Sequence, residues 1–435
     1  MYTPHAPTTP STDAYAHQYL ARLSRGELGA LPALGGLIAC STVFALLRPA
    51  FLSPANLANL VTQAATIGII AMGLVFVLLL GEIDLSVGYT SGVCGAVAAR
   101  LAGTGWLPWY VAVAGALLTG AAIGATLGLL VVRTRMPSFI VTLAALLGLQ
   151  GVALLLIGGG INISIQDKAL LAIANGDVTP ALGWLFWVAG VAMYVMIEFR
   201  RKRKGVHHRG AAADPMPVIA WRISLVTVLS AVMVFVLNLE RSPHPDIATL
   251  RGVPIVVPVT AALIMWWTFV LRRTAYGRRL YIAGRDHAAH QPSPDAVNVA
   301  RLRRSAFVIC SLMAALGGVV AVSHANSVDA NTGGINVLLY AIAATVIGGT
   351  SLFGGTGRVV GAVLGGTLMA VIDNGMALLG LSAGVKYIVA CVFLLLAAGL
   401  DVLPRLRAAD TLPAAGRDDR ERSLGASSND RATNA

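Results

Sequence analysis

Long apolar runs, separated by short polar segments, form the dominant pattern of this chain. Each run is about eighteen residues or longer, which is enough for a helix to cross a hydrocarbon core of ~30 Å. The runs cover residues 28–47, 60–81, 83–103, 107–132, 138–160, 181–197, 219–239, 253–271, 305–323, 335–352, 359–377 and 385–402, and those at 181–197 and 335–352 are marginal in length. The pattern predicts an all-α polytopic membrane protein with about 12 transmembrane helices, in a range of 10–12.

Composition supports this prediction. Of 435 residues, 56% are hydrophobic and 12% are charged, about half the charged share of an average soluble domain. The 47 glycines suit helices in lipid, because small residues let helix backbones approach closely. This high hydrophobic share and low charged share exclude an ordinary water-soluble domain.

The distribution of Lys and Arg predicts which side of the membrane each loop faces. If both termini lie inside, the inside segments hold 26 of the 32 basic residues. The six outside residues are Arg48, Arg100, Lys168, Arg241, Arg251 and Lys386. We therefore predict cytoplasmic termini and no nucleic-acid partner, since the net charge of +12 is spread over loops between spans.

This orientation divides the chain into a cytoplasmic tail at 1–27, a transmembrane domain at 28–402 and a charged tail at 403–435. The composition of the second tail predicts disorder. A basic cytoplasmic loop at 198–218 suits either anchoring of the topology or binding of anionic membrane lipid. Because His207 and His208 in this loop have no acidic or Cys partner nearby, we predict no metal site.

A polar stretch, GEIDLSVG at residues 81–88, interrupts apolar sequence on both sides. Placing the carboxyl groups of Glu82 and Asp84 at membrane depth costs free energy, and ionisable residues in that position are usually functional. Gly81 permits a bend, and Ser86 can bond to the freed backbone groups of a broken helix. The stretch is therefore either a discontinuous helix at a transport pathway or a short polar turn between two ordinary spans.

The same stretch resembles the signature of permease subunits of bacterial ABC importers for monosaccharides, the ribose/xylose type. Further similar segments follow in order at 135–143, 273–279 and 346–357, and residues 372–376 look most like the xylose branch. The resemblance covers about residues 50–402. It implies pathway or gating roles for Glu82, Asp84, Ser86, Asp373 and Asn374, because carboxylates and amides match sugar hydroxyls.

The resemblance also implies that the inside loop at 272–304 docks a cytoplasmic ATPase through a short coupling helix. The implied coupling residues are Tyr276, Gly277, Arg278, Arg279, Gly284, Ala288 and Ala289. The loop departs from the family pattern at residues 283–286 and 290–295, where Pro292 and Pro294 interrupt a helix and put the docking in doubt. The alternative is a plain solvated basic loop.

Catalytic chemistry is not predicted. The chain has no phosphate-binding Gly-x-x-x-x-Gly-Lys-Ser/Thr motif, and its histidines show no spacing with acids that suggests metal or nucleophile chemistry. Four cysteines at positions 40, 94, 310 and 391 fall inside predicted spans, which suits packing residues. We therefore expect no enzyme activity and no cofactor.

Together these features predict the permease subunit of an ATP-driven importer of a sugar, a xylose-like pentose, in the bacterial inner membrane. The resemblance implies three protein partners: a cytoplasmic ATP-binding subunit, a periplasmic sugar-binding protein and a second permease copy. The polar outside loop at 324–334 suits either contact with the binding protein or a plain loop. Two alternatives remain open, an ion-coupled secondary transporter and a permease for branched-chain amino acids.

Overall fold

The computed structural model describes residues 29–158, 162–203, 215–242, 249–288, 299–382 and 384–393, together with 395, 396 and 399. The predicted tails at 1–27 and 403–435 lie outside the described residues. So do the centre of the basic loop, with His207 and His208, and the segment that holds Ala289, Pro292 and Pro294.

Helices make up most of the described structure. They are α1 (Leu31–Leu47), α2 (Pro54–Leu79), α3 (Val87–Ala102), α4 (Trp109–Thr134), α5 (Ser138–Ile157), α6 (Lys168–Asn175), α7 (Pro180–Arg203), α8 (Met216–Leu237), α9 (Val256–Arg273), α10 (Ala275–Ala288), α11 (Val299–Ala325), α12 (Ile335–Ile347), α13 (Val359–Leu378) and α14 (Gly384–Phe393), with a 3₁₀ turn at Pro49–Leu52. Four two-residue strands, β1 (Ile163–Ser164), β2 (Asp177–Val178), β3 (Val253–Pro254) and β4 (Ser327–Val328), join the loops. The predicted all-α polytopic fold is confirmed.

Eight of the described helices are long and apolar enough to cross a membrane: α2, α4, α5, α7, α8, α9, α11 and α13. The other four predicted spans correspond to the shorter helices α1, α3, α12 and α14, as far as the described residues extend. The 16 residues of α3 and the 13 of α12 would each rise less than a ~30 Å core requires. The difference arises because apolar content alone does not show where a helix gives way to non-helical chain.

Helix α2 forms the centre of the packing. It begins with Ser53, whose hydroxyl accepts the Asn56 N–H at 3.3 Å, and with Pro54 in the first turn. Its second half is buried on every side, which matches a helix that is apolar all round. Around it pack α9, α11, α12 and α13; α1 packs against α13, and α11 in turn packs against α3 and α4.

Glycines allow these helices to approach backbone to backbone. A Cβ on Gly318 of α11 would collide with the Ser91 carbonyl of α3, and a Cβ on Gly365 of α13 would collide with the Ala344 carbonyl of α12. Such contacts are typical of helix association in lipid, where packing replaces the hydrophobic drive of water.

The hairpin of α7 and α8 lies at the periphery. Only 6% of the most apolar window in each helix is buried, and a bond of 2.9 Å from Trp187 Nε1 to Ser230 Oγ holds the two helices together. Its exposed side chains are mainly large and apolar, so this pair faces lipid.

Contacts between loops sort onto two sides. Segments predicted to lie outside pair with each other, β1 with β4 and β2 with β3. Segments predicted to lie inside also contact each other, as in the bond from Tyr281 of α10 to the Gly357 carbonyl. This sorting agrees with cytoplasmic termini, which stay a prediction.

The outside loop after α8 folds around Glu240. Its carboxylate accepts three backbone N–H groups, including that of Leu250 at 2.8 Å, and pairs with Arg251 at 2.7 Å. These bonds lower the pKa of Glu240 to about 2, and the hydrogen bond from the Leu250 N–H has the largest effect. A second ion pair, between Arg241 and Asp177 at a distance of 2.7 Å, connects the loop to β2.

The glycine contacts make a prediction about stability. Gly318→Ala should lower the stability of the purified chain in detergent by about 1–3 kcal/mol, because the added methyl group overpacks the contact with α3. Gly190→Ala in α7 is the matched control: its Cβ meets no atom within 4 Å, and Ala is the better helix former by up to ~1 kcal/mol. Thermal unfolding midpoints measure both, and equal midpoints would contradict the packing described here.

Candidate functional site

The GEIDLSVG stretch contains a break between two helices. Helix α2 ends at Leu79, α3 begins at Val87, and the intervening residues are non-helical. Gly81 has a φ of 73°, in the left-handed region that favours glycine. We call residues 80–86 the break segment. Its residues are buried or half-buried, which agrees with a discontinuous helix and disagrees with an exposed turn.

Side chains of α5 satisfy the backbone of the break segment. The Ile83 N–H donates to Ser138 Oγ at 3.1 Å, and Thr142 Oγ1 donates to the Ile83 carbonyl at 3.2 Å. Non-helical backbone at membrane depth requires such partners because no water is present to replace them. Ser138 is not among the pathway residues that the sequence predicted. The hydroxyls of Ser138 and Thr142 are four residues apart and therefore lie on one face of α5. This spacing is the feature of the sequence that could have indicated their role.

Asp84 organises the second half of the break segment. The residue is completely buried, and its Oδ1 accepts both the Ser86 N–H at 2.9 Å and the Ser86 hydroxyl at 2.6 Å. Its Oδ2 has no hydrogen-bond partner among the described residues. The carboxylate therefore holds Ser86 in the turn that starts α3, a local side-chain bond of the kind that competes with helix.

Glu82 forms an ion pair that the sequence did not reveal. Its Oε1 lies 2.7 Å from Nε of Arg303, near the start of α11, and its side chain is 10% exposed. Arg303 lies within the predicted coupling loop at 272–304. The pair therefore connects the break segment directly to that loop.

Helix α10 packs directly against the end of α2, next to the break segment. A Cβ on Gly284 would collide with the Leu79 carbonyl, so only glycine fits there. The same carbonyl accepts the Gly355 N–H at 2.9 Å. Tyr281 of α10 donates to the Gly357 carbonyl at 2.7 Å. The end of α2, the glycine-rich loop before α13 and α10 thus form one packed unit, which we call the inner junction.

The predicted coupling residues divide between two faces of α10. Tyr276 contacts the Ser305 hydroxyl at 2.9 Å, and Gly277 packs on the Leu271 carbonyl, so both face the permease together with Gly284. Burial raises the pKa of Tyr276 and keeps its hydroxyl neutral.

The opposite face of α10 is open. Arg278 and Arg279 are exposed, with Ile282 and Arg285 beside them on the same face. The side chain of Ala288 and all of Ala289 lie outside the description.

Asp373 and Asn374 point to different neighbours. Asn374 exchanges two hydrogen bonds with Asn56 of α2, at 2.9 and 3.0 Å, which is a packing role. Asp373 instead contacts Lys386 at 3.3 Å and Tyr340 at 3.4 Å. The five predicted pathway residues therefore occupy two separate places, the break segment and the end of α13.

Known proteins are similar to the chain over most of its length. The family described as "Branched-chain amino acid transport system / permease component" matches residues 56–398. The chain belongs to this permease family. The permease is 35% identical over 360 residues to the xylose transport system permease protein XylH of Escherichia coli (strain K12), covering 82% of this chain and 87% of the relative.

Two further relatives extend the comparison. XylH of Haemophilus influenzae is 32% identical over 354 residues, covering 81% of this chain and 90% of the relative. The ribose import permease protein RbsC of Escherichia coli (strain K12) is 31% identical over 366 residues, covering 84% and 91%. No solved protein structure matches the permease. The resemblance to ribose- and xylose-type permeases is confirmed, and the permease is a transport component and not an enzyme.

The Glu82–Arg303 pair generates a prediction. Glu82→Gln leaves Arg303 without its partner at the break segment, so we expect uptake to fall roughly tenfold, within the range of typical coupling energies, while membrane insertion is unchanged. Arg304→Gln is the control, since Arg304 is exposed on the same turn and, among the described residues, bonds to the Ala300 carbonyl of its own helix. Uptake rates normalised to the amount of inserted protein measure both. Full uptake by Glu82→Gln would show that the ion pair is dispensable.

Proposed function

We propose that this chain is the membrane-spanning permease subunit of an ATP-driven sugar importer, with a xylose-like pentose as its substrate. The observation that carries the proposal is the similarity over more than four fifths of the chain to proteins named as xylose and ribose permeases. The inner junction supports it, because it supplies a mechanical path from a cytoplasmic helix to a buried helix break.

In the proposed cycle, the exposed face of α10 docks into an acidic groove of a cytoplasmic ATP-binding subunit. Three arginines, Arg278, Arg279 and Arg285, surround Ile282, which is 44% exposed. Movement of α10 passes to the break segment through the Gly284–Leu79 contact and the Glu82–Arg303 pair. The break then changes the tilt of α3, which opens or closes the path.

Two further partners complete the transporter. A periplasmic sugar-binding protein delivers substrate to the outer loops, where β1 pairs with β4 and β2 with β3. A second permease copy packs on the apolar groove between α4 and α5, of about 540 Å³. The open glycines Gly148 and Gly151 next to it allow close backbone approach.

A permease for branched-chain amino acids is the second candidate, since the family description names that substrate. The similarity to proteins named as xylose and ribose permeases favours the sugar importer. An ion-coupled transporter receives less support, because Glu82 and Asp84 are engaged in contacts that shape the break segment.

Reconstitution tests the proposal. Vesicles that contain the permease with its ATP-binding subunit and binding protein should accumulate xylose only when ATP is supplied. Leucine in place of xylose separates the two substrate classes. Xylose uptake driven by a proton gradient without ATP or the binding protein would overturn the proposal.

Cross-linking tests the docking face of α10. In a Cys391→Ser background, Ile282→Cys should cross-link to the ATP-binding subunit, because its side chain lies at the centre of the exposed face. Leu280→Cys is the matched control, since Leu280 is completely buried on the other side of the same helix. Equal labelling of the two positions, or none at Ile282→Cys in an active complex, would place the docking elsewhere.

A further inference from the structure

We propose that a group of five polar side chains where α12, α13 and α14 meet is a binding site for the hydroxyl groups of a neutral, polyhydroxylated substrate. The inference rests on the proposed function and adds the place where substrate is recognised. We call the group the outer cluster, and its members are Asn336, Tyr340, Asp373, Lys386 and Tyr387.

Three contacts join the members of the outer cluster. Lys386 Nζ lies 3.3 Å from Asp373 Oδ1, and the Tyr340 hydroxyl donates to the same oxygen at 3.4 Å. The amide of Asn336 donates to the Tyr387 hydroxyl at 2.8 Å. The cluster brings together two residues from α12, one from α13 and two from α14, far apart in sequence.

The exposure of the charged members shows which surface they occupy. Asp373 lies five residues before the end of the membrane-spanning helix α13, and its side chain is 35% exposed. A carboxylate in contact with lipid at that depth is costly. Apolar side chains beside the cluster, such as Leu339 and Ile388, are also exposed. The charged pair is therefore a polar patch in a mixed surface, and its exposed carboxylate favours contact with water or protein.

The ion pair of the cluster is loose. Charge-assisted bonds in proteins are usually about 2.7–2.9 Å long, and the pairs Glu240–Arg251 and Arg241–Asp177 both measure 2.7 Å. The Lys386–Asp373 distance is 3.3 Å. Among the described residues, both contacts of Asp373 use Oδ1. Oδ2 is thus available to accept a hydrogen bond from a ligand.

The polar link between α13 and α2 does not involve this group. The next residue, Asn374, supplies the polar link between α13 and α2, and its amide is satisfied by Asn56. Asn374 is only 4% exposed, which is the pattern of a structural pair. Asp373 has the opposite pattern, partly exposed and incompletely bonded.

The chemistry of the cluster identifies the class of ligand. A carboxylate accepts hydrogen bonds, an ammonium donates them, and hydroxyl and amide groups do both, which suits a molecule with several hydroxyls. One negative and one positive group favour a ligand without net charge. A zwitterionic amino acid also has no net charge, but its aliphatic side chain would leave the hydroxyl and amide groups of the cluster unpaired, and polar sites reject such analogues strongly.

Accessibility of introduced cysteines tests the surface. In a background with Cys40→Ser and Cys391→Ser, we expect Asn336→Cys to react with a membrane-impermeant methanethiosulfonate in right-side-out vesicles that contain the full chain. Leu229→Cys on α8 is the control, because Leu229 is 62% exposed on the lipid-facing hairpin, and it should not react. Absence of reaction at Asn336→Cys would overturn the proposal.

Protection by substrate tests the ligand. In the same background, xylose should slow the labelling of Leu339→Cys, a position that is 38% exposed beside the cluster on α12, several-fold, and adding Asp373→Asn should raise the xylose concentration needed at least tenfold. Asp329→Asn is the charge-matched control, since the hydrogen bonds of Asp329 stay within its own loop. Protection by leucine and not by xylose, or by neither, would overturn the polyol site.

This assay needs neither ATP nor transport. Protection by xylose with failed ATP-dependent uptake would therefore overturn the proposed function and keep the site. ATP-dependent uptake of xylose, together with cysteine labelling that xylose does not slow, would support the proposed function and overturn the proposed binding site.

Discussion

The rest of the structure depends on one constraint: a backbone N–H or C=O in the bilayer core must find its partner within the protein. Residues 80–86 leave the helical pattern in that environment. Their groups are paired by Ser138 and Thr142 of α5, by the preceding turn of α2 and by the Asp84–Ser86 bonds. The break segment is therefore an ordered element, held by named partners from more than one helix.

The same constraint explains why α10 lies where it does. The Leu79 carbonyl at the end of α2 has lost its helical partner and is satisfied by the Gly355 N–H. Only glycine at position 284 allows α10 to approach that carbonyl. Closure of the helix end thus creates the inner junction, in which α10 contacts the end of α2.

Much of the fold was predictable, because apolar length and the distribution of basic residues are local properties of the sequence. The predicted run at 60–81 corresponds to α2, and the polar stretch after it marks the break. The Glu82–Arg303 pair was not predictable, since its members are 221 residues apart and only tertiary packing joins them. For the same reason, neighbouring Asp373 and Asn374 looked equivalent, although one packs on α2 and the other lies in the outer cluster.

The central claim is that the break segment acts as a hinge between α10 and α3. The most direct measurement is the distance between spin labels at Ile282→Cys on α10 and Thr104→Cys beyond the outer end of α3, in the assembled transporter in lipid. The account predicts one distance without nucleotide and a second, clearly separated distance when ATP is bound. A single distribution that ATP leaves unchanged, in a complex that still transports, would contradict it.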